Sequence, residues 1–192
     1  VDRLSRDDPQ WRVDVAAGTH RSVEQEGSAM MTFQPVSLRS RVILLTTVAV
    51  GFLHHTDHVL RADHSGWPFI RDVTPFTFSL LAYPILFFAL FGSSWRLGLR
   101  AGLLTVLTIF TIGAHTLIET PQMQYASWAF NRSIDPALGP IPNLLCTQSP
   151  ELGIAAVVTS LLLNCLLLAA TTSVLVDLRR KNGLEPGTAM RT

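Results

Sequence analysis

Residues 42–60 read VILLTTVAVGFLHHTDHVL, and this stretch decides what kind of protein the chain is. It opens on twelve residues, Val42 to Leu53, that carry no charge and are mostly aliphatic. It closes on His54, His55, Asp57 and His58, with Arg61 just beyond. Arg39 and Arg41 stand immediately before it. A basic flank followed by an apolar run is also the pattern of a secretory signal, but there a small-residue cleavage site should follow. Histidines occupy that place here, so the stretch reads as an uncleaved first membrane span. About 20 mostly apolar residues are needed to cross a bilayer.

Working outward, three more apolar runs of similar kind follow, over about residues 75–93, 99–118 and 153–176. Thr74 and Pro75 supply an N-cap and a first helical residue for the second run. Pro84 inside that run predicts a kink. Gly98, Gly102 and Gly113, on or near the third, predict close approach of a neighbouring helix. The expected fold is an all-α, four-helix transmembrane bundle over residues 39–180. A mostly disordered tail precedes it over residues 1–38, and a short polar tail follows over 181–192. Val1 is what a GTG start codon would give, and Met30 or Met31 is the alternative start. Composition agrees with a membrane protein. Charged residues are 15% and hydrophobic ones 48%, whereas a soluble domain carries roughly 25% charge. Mean hydropathy is +0.32. That apolar content excludes disorder of the whole chain. A net charge of +1 gives no attraction to nucleic acid. Two cysteines, Cys146 and Cys165, make no disulfide framework. Lys181 is the single lysine among 15 basic residues, a bias typical of GC-rich coding that points to a bacterial source.

Arginine and lysine in short loops set orientation. Arg39, Arg41, Arg96, Arg100, Arg179, Arg180 and Lys181 fall on one side of a four-span chain. Only Arg61, Arg71 and Arg132 fall on the other. Both termini are therefore expected in the cytoplasm of a bacterial inner membrane. The long loop 119–152 then faces outward, with residues 122–132 as a short amphipathic helix on the headgroups. Trp67, Trp95 and Trp128 are placed near the interfaces.

Five of the six histidines lie at one predicted level, and this is the main functional signal. On an α-helix at 100° per residue, His54, Asp57, His58 and Arg61 share one face, and His64 joins them if the helix continues. His55 points elsewhere. On the third span His115 and Glu119 are four residues apart. Both groups sit in the last turns of helices running the same way, where free carbonyls favour a cation. Imidazoles with carboxylates suit zinc, copper or iron. His54, His58, His115 and Glu119, with His64, are the candidate metal ligands. The alternatives are a structural polar plug between helices and a haem b held between facing histidines. Ser160 and Asn164 on the fourth span are read as hydrogen-bonding glue.

His54-His55-Thr56-Asp57-His58 reads H-x-x-D-H and resembles the H-x-x-E-H motif of the inverted zinc peptidases, with Asp in place of Glu. The resemblance covers five residues. It implies His54 and His58 as zinc ligands and Asp57 as the general base for a metal-bound water. His58-x4-Asp63 is similar to the H-x4-D of glycerolipid acyltransferases, whose large domain this chain has no room for. The functional expectation is a small membrane protein with a metal site near the outer face, hydrolysing or oxidising a small or lipid-like substrate. The alternative is a non-enzymatic membrane component: a metal carrier, a haem subunit, or one subunit of a larger complex or oligomer.

Overall fold

The computed structural model describes residues 36–61, 75–134 and 140–183. Residues 1–35, and with them most of the N-terminal tail, lie outside the described residues. So do His64, Asp63, Trp67 and Arg71. Among the described residues the chain is helical, with no strand. Helix α1 is Leu38–Arg61. A 3₁₀ stretch over Pro75–Leu81 leads into α2, Ala82–Phe91. Helix α3, Leu97–Gly113, runs on without a break into a π-helical turn over Ala114–Ile118. Helix α4 is Pro121–Ala129 and α5 is Pro150–Lys181.

Among the described residues, three segments are long and apolar enough to cross a membrane: Leu38–Arg61, Ser94–Ile118 and Pro150–Lys181. The second apolar run is shorter, and only Thr77–Phe91 forms an apolar helix there. Pro84 sits in the first turn of α2, where its missing N–H leaves no helical bond unmade. The irregularity expected at Pro84 is taken up before it, as the 3₁₀ stretch.

The distribution of polarity is that of a protein solvated by lipid. Phe52, Val106, Ile109 and Leu161 face outward, each more than half exposed. Inward-facing groups include Ser40, Thr47, Arg61, Arg100, Thr108, Ser160 and Ser173. A soluble domain arranges these classes the other way round. Leu44, Leu90, Leu104, Leu163, Leu167 and Val174 make the apolar core between α1, α2, α3 and α5.

Helix α5 is the central element and packs antiparallel to both α1 and α3. At the end where α1 begins, Ser40 Oγ lies 2.6 Å from Ser173 Oγ and donates to Asp177 Oδ2 at 2.7 Å. Further along, Thr108 Oγ1 meets Thr171 Oγ1 at 2.8 Å. The expected close approaches at Gly98, Gly102 and Gly113 do not occur, since a Cβ at any of them would meet nothing within 4 Å. A tight contact between helices is at Gly153, where a Cβ would stand 2.8 Å from the Tyr125 carbonyl. That approach lets α4 lie against α5. Arg100 ends α2: its guanidinium donates to the carbonyls of Ala89 and Gly92, which have no helical partner.

A candidate metal centre at the ends of two helices

The site lies where α1 and α3 finish and α5 passes between them. His54 and His58, one turn apart on α1, turn inward and are buried at 2% and 6% exposure. From α3, His115 is buried on the π turn, and Glu119 follows it with no exposure at all. The π turn matters because it displaces the α-helical register. Glu119 N–H bonds to Ala114 C=O, five residues back, at 2.8 Å. Glu119 therefore leaves the helix (φ −121°) rather than sitting one α turn above His115. Single π turns concentrate at functional sites.

Four donor atoms converge. His54 Nε2 stands 2.8 Å from His58 Nε2 and 3.0 Å from His115 Nε2. His58 Nε2 stands 3.3 Å from Glu119 Oε2. One atom from each of the four residues lies within 4.8 Å of all the others. A tetrahedral ion with bonds of about 2.0–2.1 Å holds its ligand atoms about 3.3 Å apart; the His58–Glu119 spacing matches that, while the two imidazole pairs stand closer and would open by a few tenths of an ångström around an ion. Hydrogen bonding among the four does not account for the arrangement. A ring nitrogen has a single in-plane position, to donate or to accept, yet His54 Nε2 faces two other ring nitrogens. Glu119 Oε2 and His54 Nδ1 are buried without a hydrogen-bond partner.

The surroundings orient these groups. His115 Nδ1 donates to Asn164 Oδ1 of α5 at 3.1 Å, which leaves the Nε2 lone pair aimed at the cluster. Arg61, fully buried, binds Glu119 Oε1 through Nη1 and Asp57 Oδ2 through Nε, the latter at 2.8 Å. Asp57 Oδ1 accepts from Trp128 Nε1 of α4 at 2.8 Å. Both oxygens of Asp57 are thus engaged away from the four convergent atoms. One guanidinium faces two carboxylates here, so with neutral histidines the site holds a surplus negative charge. A buried, uncompensated charge is costly, and a bound cation would remove it.

Helix α4 closes this end of the bundle, packed against α5. Thr120 caps it and Pro121 is its first residue. Gln124 donates to Ser160 Oγ at 3.2 Å, and Trp128 is buried at 3% exposure. The following loop is stapled by Asn143, whose amide donates to the carbonyls of Ser127 and Thr147, and Leu144 N–H bonds back to Leu60 C=O.

Sequence reasoning placed His54, His58, His115 and Glu119 together, and the structure brings those four together. It missed Gln124, and it left Asn164 and Ser160 without named partners, since cross-helix register is needed to see them. His55 does point elsewhere, but not into lipid. Its Nε2 lies 2.7 Å from Ser79 Oγ, and its Nδ1 lies 3.0 Å from the Tyr83 hydroxyl and 3.1 Å from Gly51 C=O. All three side chains border a cavity of about 390 Å³ that His54, His58 and His115 also line. No protein-family model, curated protein or solved structure matches this chain.

Proposed function

We propose that this is a four-span membrane protein that binds one divalent transition-metal ion through His54, His58, His115 and Glu119. The observation that carries the reading is the convergence of three imidazole nitrogens and a carboxylate oxygen within one buried 4.8 Å group. Two nitrogens from α1, one from α3 and one oxygen make a borderline donor set suited to zinc, copper or iron. A porphyrin needs its two axial nitrogens on opposite sides of a plate, whereas His54 and His115 approach to 3.0 Å with His58 beside them. That favours a bare ion over haem b. Bound there, a metal would act as a Lewis acid or lower the pKa of water. Asp57, engaged by Arg61 and Trp128, positions Arg61 rather than serving as the base.

Four spans are supported by length. The 3₁₀ stretch rises about 2.0 Å per residue and α2 about 1.5 Å, so Pro75–Phe91 covers about 29 Å. The hydrocarbon core is about 30 Å thick. The excess of Arg and Lys at the opposite end of the bundle supports an outward-facing metal-binding end.

One contact favours the second reading, a structural polar plug in a non-enzymatic membrane component. Arg61 Nη2 is 3.2 Å from His58 Nδ1. A guanidinium only donates, so His58 Nδ1 accepts there and its proton sits on Nε2, among the cluster. Elemental analysis of the purified chain separates the two. Near-stoichiometric zinc, copper or iron, lost in His54→Ala/His58→Ala, is the expected result. No metal in a wild-type protein offered each of these ions, with the variant folding normally, would leave the plug.

A further inference from the structure

The cavity beside the cluster is apolar except at one end. It is about 390 Å³, within the range of small-ligand sites. Along α3 and the π turn that follows it, its wall runs from Val106 to Ile118, roughly 18 Å of helix. Two flanks, Phe78 with Leu81 and Val106 with Phe110, are each more than half exposed, so the cavity opens between the 3₁₀ stretch and α3 toward the surrounding lipid. At its polar end His55, Ser79 and Tyr83 form a hydrogen-bonded trio. The His55 ring centre lies 6.1 Å from that of His58 and 6.5 Å from that of His54. An elongated apolar chamber with a hydroxyl- and imidazole-lined end is complementary to a molecule that is itself apolar with one polar end.

We propose that this cavity binds a single-chain amphiphile. Its chain lies along α3, and its oxygen-bearing head is held by the His55–Ser79–Tyr83 trio, facing the four-donor cluster. Holding the head there rests on nothing in the cluster; presenting it to a metal rests on the metal-binding reading above. The chain enters sideways from the membrane, so the water-facing end can stay closed by α4. The Tyr83 hydroxyl can both donate to and accept from an alcohol or carbonyl head, and His55, whose ring nitrogens are taken by Ser79, Tyr83 and Gly51 C=O, fixes where that hydroxyl stands.

The test uses the full chain in lipid nanodiscs and a dodecanol bearing a terminal diazirine. Irradiation followed by peptide mapping should place the adduct on the cavity segments around Val106–Phe110 and Phe78–Tyr83. Dodecanol should compete it away and butanol should not. Ala82→Trp, which fills the cavity, and Val106→Trp, which blocks its mouth, should each abolish the competed labelling. A His55→Ala/Tyr83→Phe variant should weaken it about tenfold, the scale of one to two lost hydrogen bonds. Metal content is measured on the same samples. Competed labelling in a metal-free protein supports the amphiphile site and sinks only the metal reading. Labelling spread over the outward faces of α5, indifferent to Ala82→Trp and Val106→Trp, overturns the proposal. So does cavity labelling that ignores the His55/Tyr83 double variant.

Discussion

His115 acts through an atom it does not aim at the cluster. Its Nδ1–H is held by Asn164 Oδ1 at 3.1 Å, and this fixes which nitrogen is free to bind a metal. Loss of such an outer partner typically lowers metal affinity 10–100-fold. Asn164→Ala should therefore weaken zinc binding by about that factor, and Asn164→Asp should restore it, as read by chelator competition. An unchanged affinity in Asn164→Ala would mean that His115 is not a ligand. Arg61 is the other decisive residue, a buried guanidinium holding two carboxylates. Breaking a buried ion pair from one side costs about 3–5 kcal/mol. Arg61→Met should lower the unfolding temperature accordingly. The drop should be larger with a chelator present, because a bound divalent ion would offset part of the exposed negative charge. Much of this was legible from the chain alone: His54, His58 and Arg61 fall on one helical face by spacing. Asn164, which holds His115, and Trp128, which holds Asp57, were not, because a contact across 49 or 71 residues depends on packing register, to which no local pattern is tied.

At the scale of elements, the π turn over Ala114–Ile118 does the positioning. One extra residue per turn swings His115 toward α1 and releases Glu119 from the helix. Deleting Thr116, an exposed residue of that turn, should restore α-helical spacing while disturbing little packing. The expected outcome is unchanged helicity by circular dichroism with loss of metal. Retention of metal would show that the turn is incidental. Ser149-Pro150 opens α5 and Thr120-Pro121 opens α4, each with its side-chain cap bond made, and neither start was read from the sequence. The 3₁₀ stretch and the π turn were not readable. Both are small departures from 3.6 residues per turn that apolar periodicity does not resolve, and they are selected by what the segment must reach.

For the molecule as a whole, the question is which way the cluster faces. Its closed end carries α4 and the loop stapled by Asn143, and the opposite end carries the Ser37–Ser40–Asp177 contacts. Lys181 and Arg179 lie beyond that second end, in the last turn of α5. A chain inserted by its positive charges keeps that end inside. Cys146 sits exposed in the loop beside α4, and Cys165 is exposed on α5 where the surrounding surface is aliphatic. The two cysteines thus report different solvents. A membrane-impermeant maleimide added to intact spheroplasts should label Cys146, and labelling should vanish in Cys146→Ser but persist in Cys165→Ala. Cys165, facing acyl chains, should react only after detergent extraction. Labelling of Cys146 that requires permeabilised cells would invert the molecule and put the cluster on the cytoplasmic side. Its metal supply and any substrate would then have to come from the cell interior, with the internal geometry of the site unchanged.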